Sequence, residues 1–334
     1  MNHWLSFFDY SPAQISALVN RASEIKKGGF SKVLNGKVGT LMFFNQSLRT
    51  RVSFEVAIHK MGGAAISLSP GNDTWGFEVE DGVVMNSDKA EHIEEAVKVL
   101  CRYNDFIGVR TFAKLDNISA DFQEIVLNSF KKYASVPIIN LESAMEHPCQ
   151  ALADMLTIKE KLGAVQSAPH SKNFVLSWAP HVKALPMAVP HSALLAAAYS
   201  GMNITLAHPK GYELHSHYIE KVKAVCKQFN TSFEYTDNQV PACKNSDILY
   251  VKSWGSSQLY QNNEAQTADF NKNKNWCVTK DHFGPRTHLM HCLPVRRDVV
   301  VTAEALRDKQ SIIIDQAENR LWAQSAILEN IFKQ

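Results

Sequence analysis

The sequence predicts an α/β protein: two parallel-sheet α/β domains joined by a shared helix, with a C-terminal helix that packs back on the first domain. Apolar runs of strand length alternate with segments of helical periodicity, which is typical of parallel sheets covered by helices. The alternation pauses at a polar stretch over 163–173 and then resumes, and 334 residues are enough for two cores of ordinary size. We expect a first domain over 1–147, a second over 148–316 and a returning helix over 317–334.

The first half of the chain alternates between helix and strand from its beginning. The expected segments are helix 12–27, strand 37–44, helix 50–61, strand 64–68, helix 90–103, strand 106–112, helix 122–133 and strand 136–140. The linking helix follows over 148–162, and Pro148 suits its first position because proline is favoured there.

The second half resumes the same alternation. The expected segments are strand 174–178, helix 189–199, strand 204–207, helix 218–229, strands 233–235, 248–251, 289–293 and 312–314, and a terminal helix over 317–332. The polar, lysine-bearing segment 262–275 is expected to be a surface loop. Ligands of such sheets bind at the carboxyl ends of the strands, so polar motifs at those ends are candidate binding residues.

Composition narrows the class of partner. With 45% hydrophobic and 20% charged residues the chain is typical of soluble globular proteins, and a net charge of +2 provides no strong field for nucleic acid or membranes. Neither a run of 18 apolar residues nor a basic, then apolar leader is present, so we expect a cytoplasmic protein. Six cysteines without a C-x-x-C pair favour reduced thiols over a disulfide frame or a structural metal site.

The first motif, Ser-Leu-Arg-Thr-Arg over 47–51, stands where a strand ends and a helix begins. A helix start leaves N–H groups without partners and carries partial positive charge, so with added hydroxyl and guanidinium donors it suits a small anion. Arg49 and Arg51 cannot point the same way, so one would face the ligand while the other braces the loop. The alternative is a helix capped by Ser47 with solvated arginines.

Two further motifs also follow predicted strands. His147, Pro148 and Gln150 open the linking helix, where a helix start favours a neutral histidine and the glutamine one turn on can share its ligand. A helix cap with a buried histidine is the alternative. In His-Cys-Leu-Pro over 291–294, adjacent residues of an extended chain point to opposite faces, so His291 is badly placed to activate Cys292 as a nucleophile. Backbone carbonyls there could instead accept hydrogen bonds from a ligand amino group.

Together these three motifs, in this order and at these separations, resemble the aspartate/ornithine carbamoyltransferase family over essentially the whole chain. The resemblance implies a carbamoyl-phosphate domain followed by an amino-acid domain, and a homotrimer whose active sites are shared between subunits. It implies catalytic roles for Thr50, Arg110 and His147. The carbamoyl-phosphate ligands that it implies are Ser47, Leu48, Arg49, Thr50, Trp75, Arg110, His147, Pro148, Cys149, Gln150, Cys292, Leu293 and Arg320. Neither a cofactor nor a metal is implied, since phosphate is the leaving group.

The same resemblance also indicates which amine accepts the carbamoyl group. Ornithine-specific members carry an aspartate where this chain has Lys252, and a lysine would repel an α-ammonium, so the α-nitrogen is expected to be acylated. The residues implied for the acylornithine are Glu142, His181, Lys252, Arg296 and Ala90. Acetyl-using members carry a glutamate at position 90 and a lysine at the position of Val300, whereas the succinyl-using pattern has proline at 90. We expect carbamoyl transfer to N-succinyl-L-ornithine in arginine biosynthesis, with N-acetyl-L-ornithine as the alternative.

Two other classes can be compared with this expectation. A nicotinamide-dependent dehydrogenase would share the doubled α/β pattern, but no predicted strand is followed by Gly-x-Gly-x-x-Gly. A non-catalytic, anion-binding relative is the remaining alternative, and it would not release phosphate from carbamoyl phosphate in the presence of an acylornithine.

Overall fold

The computed structural model of the protein describes residues 2–163 and 172–333. Most of the polar stretch expected between the two halves, residues 164–171, lies outside the described residues. The chain divides into two compact units: Met1–Lys114 with Ser119–Cys149 and Arg320–Gln334, and Leu115–Ile118 with Gln150–Asn319. None of the described helices is both long enough and apolar enough to cross a lipid bilayer.

The first unit is built on a four-stranded sheet with the order β2-β1-β5-β6, in which every pair is parallel. Its strands are β1 (Val38–Phe43), β2 (Ala64–Leu68), β5 (Phe106–Arg110) and β6 (Ile138–Glu142), and a small separate pair joins β3 (Phe77–Glu78) to β4 (Glu91–His92). The helices up to this point are α1 (Pro12–Gly28), α2 (Arg49–Lys60), α3 (Ile93–Tyr103), α4 (Ile118–Phe122) and α5 (Ile125–Tyr133).

The core of the first unit lies between this sheet and its helices. Met42, Ile107, Val109, Phe130 and Ile138 are buried in it. The strands are apolar on both faces because helices cover a parallel sheet on both sides, which is why the sequence shows continuous apolar runs here.

The second unit contains a five-stranded parallel sheet with the order β11-β10-β7-β8-β9. Its strands are β7 (Asn173–Trp178), β8 (Asn203–Ala207), β9 (Phe233–Thr236), β10 (Ile248–Lys252) and β11 (His288–Met290). The remaining helices are α6 (Pro148–Leu162), α7 (Ala188–Tyr199), α8 (Ser216–Phe229), α9 (Gln239–Lys244), α10 (Asn263–Lys272), α11 (Ala303–Arg307) and α12 (Ile313–Phe332). Every residue of α7 is buried, which explains its alanine-rich sequence.

Helices α6 and α12 pass from one unit to the other, α6 at Cys149/Gln150 and α12 at Asn319/Arg320, and α4 has its first residue, Ile118, in the second unit and the rest in the first. The last part of α12 packs on the first unit, where Trp322 stacks on Phe30 and Phe332 meets the edge of Phe106. Glu329 of the same helix pairs with Arg21 of α1. The predicted fold class, two parallel-sheet α/β domains with a shared helix and a returning terminal helix, is therefore confirmed.

Several predicted segments were wrong in detail. The segment 312–314 is not a strand, because α12 begins at Ile313, and the expected loop over 262–275 contains α10 and a 3-10 turn at Lys274–Trp276. The predicted strand 289–293 ends at Met290, and Leu293 takes a left-handed φ of 57° that no strand continues. The predicted helix 122–133 is interrupted by Glu124, whose φ is 46°.

Candidate functional site

The first motif lies at the junction of β1 and α2. The N-cap residue of α2 is Leu48, whose backbone is in the αR region and whose side chain makes no capping hydrogen bond. Ser47 therefore does not cap this helix, contrary to the alternative of a conventionally capped helix start. Leu48 is 72% exposed. The helix dipole and the adjoining arginines give this end of α2 the character of an anion site.

Arginine side chains converge on the hydroxyl of Thr50. Arg110 Nη1 donates to Thr50 Oγ1 at 3.0 Å, and Arg320 Nη2 donates to the same oxygen at 2.9 Å. Arg110 and Arg320 lie 60 and 270 positions after Thr50 in the chain, and both meet at its buried hydroxyl oxygen. Arg110 is delivered by the end of β5, which pairs with β1 so that Phe43 and Arg110 are register partners.

Glu142 supplies the negative charge that accompanies these arginines. Its Oε2 lies 2.8 Å from Arg110 Nη1 and 3.5 Å from His147 Nε2. Burial lowers the pKa of His147 well below its ordinary value, and the positive charges of Arg320, Arg110 and Arg49 lower it further. The imidazole is therefore neutral at pH 7.

Arg51 takes the bracing role expected for one of the two arginines. Its Nε lies 3.3 Å from Glu55 Oε1, its Nη2 donates to the carbonyl of Ser67, and its guanidinium lies over the ring of Phe43. Arg49, by contrast, is close enough to His147 for its charge to lower the histidine pKa. The two arginines of the motif therefore lie in different environments, Arg51 beside Glu55 and Ser67 and Arg49 near His147.

Pro148 and Cys149 begin α6 as expected. The Cys149 thiol donates to the carbonyl oxygen of Asn140 at 3.3 Å, and burial raises its pKa to about 12. This cysteine is therefore a protonated thiol at neutral pH and not a nucleophile.

Trp75 and Ala90 lie on an exposed part of the first unit. Trp75 is 58% exposed, and its Nε1 donates to Glu91 Oε2 at 2.7 Å. Ala90 is exposed and immediately precedes Glu91. The hydrogen bond from Trp75 to Glu91 therefore holds the indole next to the segment that contains residue 90.

A cationic cluster lies in the second unit. Arg296 Nε donates to His181 Nε2 at 3.1 Å, and His181 Nδ1 lies 2.9 Å from the carbonyl oxygen of Lys183. Burial lowers the pKa of His181 to about 4, and Lys252, Arg296 and Lys183 add positive charge that also lowers it. The structure thus brings His181, Lys252 and Arg296 together. Lys183 was missed by the sequence reasoning, although it stands two residues after His181.

Gln150 belongs to a second buried group in the same unit. Its Nε2 donates to Asp154 Oδ1 at 2.8 Å, and Gln316 Nε2 donates to the same oxygen at 2.7 Å. The amide of His291 donates to Gln316 Oε1, and the amide of Leu293 donates to His291 Nδ1. Cys292 and Leu293 are half-buried beside it. Asp154 and Gln316 were also missed, and the four-residue spacing from Gln150 to Asp154 was the available signal.

Comparison with known families matches the chain to two successive models. Residues 2–160 match the carbamoyl-P binding domain of aspartate/ornithine carbamoyltransferase, and residues 187–331 match its Asp/Orn binding domain.

The similar proteins include acylornithine enzymes. The chain is 37% identical to N-acetylornithine carbamoyltransferase of Xanthomonas campestris, covering 100% of this chain and 98% of the relative. It is 34% identical to N-succinylornithine carbamoyltransferase of Bacteroides thetaiotaomicron, covering 96% and 95%. A crystal structure of acetylornithine transcarbamylase complexed with acetylcitrulline superimposes with a TM-score of 0.96, at 37% identity and complete coverage of both chains. The protein therefore belongs to the aspartate/ornithine carbamoyltransferase family, within its acylornithine branch.

Proposed function

We propose that the protein transfers the carbamoyl group of carbamoyl phosphate to the side-chain amine of N-succinyl-L-ornithine, giving N-succinyl-L-citrulline and phosphate. The observation that carries the carbamoyl-phosphate half is the convergence of Arg110 and Arg320 on Thr50 at the start of α2. A place in arginine biosynthesis is part of this proposal, and the relatives named as acylornithine carbamoyltransferases support the reaction class.

The first unit would bind carbamoyl phosphate. Arg49, Thr50 and the first turn of α2 would hold the phosphate. Ser47 and Leu48 would contribute backbone groups, and Arg320 would offset the negative charge of the phosphate. Attack by the amine builds negative charge on the carbonyl oxygen, and preorganised donors there lower the barrier. Arg110 and the neutral His147 are the donors with the required chemistry. The departing phosphate can accept the proton released by the amine, so no step needs a residue to change charge.

The second unit would bind the acylated amino acid. Lys252, Arg296 and Lys183 lie close enough to His181 for their positive charges to add to the larger effect of burial in lowering its pKa. Such a cluster repels an α-ammonium group and attracts carboxylates. An acylornithine offers a carboxylate and an uncharged amide in place of the ammonium. In the first unit, Glu142 is proposed to receive the substrate's side-chain amine. In the second unit, Gln150 and the 292–293 carbonyls are proposed to receive the carbamoyl amino group.

Charge favours the succinyl group over the acetyl group. N-succinyl-L-ornithine carries two carboxylates and N-acetyl-L-ornithine carries one, so the cationic cluster can compensate the succinyl compound more fully. Position 90 holds an uncharged alanine. A glutamate-to-alanine mutant of N-acetyl-L-ornithine transcarbamylase has been crystallised with carbamyl phosphate and N-succinyl-L-norvaline, with a TM-score of 0.95 to this chain. We assign that glutamate to position 90 as part of this proposal.

The alternative, N-acetyl-L-ornithine, is favoured by a different observation. The acetyl-using relatives are 37% identical to this chain and the succinyl-using relatives are 34% identical. We further propose that the protein is a cytoplasmic homotrimer in which Trp75 serves the carbamoyl-phosphate site of a neighbouring subunit.

One assay tests the proposal. Citrulline-type product and phosphate are measured with carbamoyl phosphate and, side by side, ornithine, N-acetyl-L-ornithine and N-succinyl-L-ornithine. The largest kcat/KM is expected with the succinyl compound. A larger value with the acetyl compound would establish the alternative, and no phosphate release with any of the three would indicate a non-catalytic, anion-binding protein.

A further inference from the structure

The segment 143–147 of the first unit connects two residues that the proposed function uses. Glu142 is the last residue of β6, His147 immediately precedes α6, and the residues between them form neither strand nor helix. Glu142 is proposed to receive the substrate amine, and His147 is proposed to donate to the carbonyl oxygen. Because their side chains lie 3.5 Å apart across this irregular segment, the contacts that hold the segment also set the geometry of the pair.

Ser143 closes the segment into a turn. Its backbone N–H donates to the carbonyl oxygen of Glu146 at 2.7 Å, and its Oγ accepts from the backbone N–H of Glu146 at 3.2 Å. Asn140 of β6 donates from Nδ2 to the same Oγ at 3.1 Å. The turn is therefore fixed at its two ends and attached to the strand.

The N-terminal segment of the chain holds one side of this turn. The hydroxyl of Ser6 and the backbone N–H of Phe7 both donate to the carboxylate of Glu146. Glu146 is 4% exposed, so these donors supply partners to a buried charge. The residue just before His147 is thereby tied to a distant part of the first unit.

Glu124 holds the middle of the turn. Its Oε1 accepts from the backbone N–H of Met145 at 3.0 Å, and Met145 itself is 1% exposed. Since Met145 stands two residues before His147, this hydrogen bond constrains the backbone from which the imidazole projects. The contact joins residues separated by 21 positions and belongs to no regular element.

The backbone of Glu124 is in an unfavourable conformation. It occupies the N-cap position of α5 with φ 46° and ψ 44°, in the left-handed region that side chains other than glycine rarely adopt. A conventional N-cap residue is extended and caps its own helix, whereas the Glu124 side chain makes no capping hydrogen bond. The side chain is directed instead to the turn over 143–147.

The environment of the Glu124 carboxyl is also unfavourable. Burial raises its pKa, and the hydrogen bonds from Ser143 and Met145 oppose that rise. A glutamate that is costly both in backbone conformation and in loss of hydration is a poor choice for stability alone. Strained residues of this kind persist where the geometry serves a site.

We propose that Glu124 is a positioning residue for carbamoyl transfer, because its hydrogen bond to the Met145 backbone holds the turn that directs His147 towards Glu142. Glu124 exchanges no proton with the substrate and acts only through this backbone contact. The inference rests on the proposed function, in which His147 stabilises the negative charge that develops on the carbonyl oxygen.

Three variants of Glu124 separate the hydrogen bond from the strain and the charge. Glu124→Ala removes the acceptor and keeps a side chain in the left-handed conformation. Glu124→Gly also removes the acceptor but relieves the backbone strain, so it tests the same role should the alanine variant fail to fold. Glu124→Gln keeps an oxygen for the Met145 N–H and removes the charge.

Thr40→Val is the matched control for loss of a hydrogen bond in the same unit. Thr40 lies on β1, is 1% exposed, and its Oγ1 donates to Asn104 Oδ1 at 2.8 Å. Asn104 is the C-cap residue of α3, so this contact also joins two elements of the first unit. Its loss should lower stability without moving the turn over 143–147.

The test compares catalysis with binding of inorganic phosphate. We measure kcat at saturating carbamoyl phosphate with N-succinyl-L-ornithine and with N-acetyl-L-ornithine, and the phosphate dissociation constant by calorimetry. Glu124→Ala and Glu124→Gly are expected to lower kcat by about tenfold to a hundredfold, since small displacements of a donor have effects of this size. The dissociation constant of phosphate should change by less than about threefold, because phosphate is held at α2. Glu124→Gln should recover most of the lost kcat, and Thr40→Val should keep both values.

The outcomes distinguish this inference from the proposed function. A wild-type protein that transfers no carbamoyl group to either acylornithine overturns both. If the wild type is active and Glu124→Ala and Glu124→Gly keep its kcat, the proposed function stands and the positioning role is wrong. An equal loss of kcat in Thr40→Val, or a glutamine variant as impaired as the alanine variant, would assign the effect to stability or to charge and would also overturn it.

Discussion

Arg110 Nη1 lies 2.8 Å from Glu142 Oε2, and each of the two side chains retains only 10% exposure. The pair lies beside Thr50, where Arg320 also donates. The guanidinium groups of Arg110 and Arg320 thus meet at one hydroxyl oxygen. An anion bound beside them would offset their like charges and stabilise the folded protein.

The first prediction concerns that ion pair. Glu142→Gln leaves Arg110 without its carboxylate and is expected to lower the free energy of unfolding by about 3 kcal/mol. Addition of phosphate should recover much of the loss, since an anion that binds the folded state at 100 times its dissociation constant contributes about 2.7 kcal/mol. Urea denaturation with and without phosphate measures both effects. Glu55→Gln, which breaks the exposed pair with Arg51, is the control and should cost under about 0.5 kcal/mol.

The second prediction follows from the lowered pKa of His147. The folded state keeps this imidazole neutral while the unfolded state protonates it near pH 6.5, so the unfolded chain binds more protons as the pH falls. Stability is therefore lost below pH 6.5, by up to about 1.4 kcal/mol per pH unit from this group. His147→Gln should show a shallower fall between pH 6.5 and 5 in urea denaturation. Equal slopes in the two proteins would contradict a neutral, buried His147.

The anion-binding role of Arg49 gives the third prediction. Arg49→Ala is expected to weaken carbamoyl phosphate by about a hundredfold, because a charge-assisted contact to phosphate contributes about 2–3 kcal/mol. Arg51→Ala is the matched control from the same helix turn. Since Arg51 is engaged with Glu55 and Ser67, its loss should change affinity by less than about threefold. Calorimetry showing similar affinities for the two variants would remove the phosphate role of Arg49.

Parallel-sheet topology explains which parts of the fold and of the candidate site could be predicted from the sequence. The strands that end at Phe43 and Arg110 were recognisable from their apolar runs, with predicted ends at 44 and 112, and neighbouring parallel strands bring such ends together. The contact of Arg320 with Thr50 spans 270 positions and depends on where α12 packs, which no local pattern encodes. The contact of Gln316 with Asp154 was unpredictable for the same reason. The contact of Gln150 with Asp154 is local, and its four-residue spacing was the signal that the sequence offered.

The wrong secondary-structure predictions also have physical causes. Three successive isoleucines at 312–314 favour a strand by propensity, but packing of α12 overrides this preference. The segment around α10 is rich in Asn and Lys, yet the Asn262 side chain accepts from the amide of Ala265 and caps a helix there. The interruption at Glu124 results from its left-handed backbone conformation, which no pattern in the sequence indicates.

The fourth prediction tests a site shared between subunits. Trp75 is 58% exposed on its own chain, and its Nε1 donates to Glu91. Trp75→Ala and Arg110→Ala should each be inactive alone. Mixed after verified subunit exchange, they should regain part of the wild-type activity, because some hybrid sites receive the native residue at both positions. Absence of any regained activity would count against the shared site.

The last prediction distinguishes the two acyl groups through Ala90. If residue 90 lines the acyl end of the amino-acid site, Ala90→Glu sets a negative charge against the succinyl carboxylate. At a separation of ~4–6 Å and an effective dielectric constant near 20, the repulsion costs about 3–4 kcal/mol. That cost corresponds to a loss of about a hundredfold or more in kcat/KM with N-succinyl-L-ornithine. N-acetyl-L-ornithine has no such carboxylate and should lose far less.

The measurement for Ala90→Glu is the ratio of the two kcat/KM values in wild type and variant, which cancels any loss of folded enzyme. Ala90→Gln is the matched control, because it has nearly the same size as glutamate without its charge. The ratio should shift towards the acetyl substrate in the glutamate variant and much less in the glutamine variant. Equal shifts in both would mean that size and not charge decides at this position. An unchanged ratio in both would mean that residue 90 does not face the acyl group, and the preference for succinyl would then rest on the cationic cluster of Lys252, Arg296 and Lys183 alone.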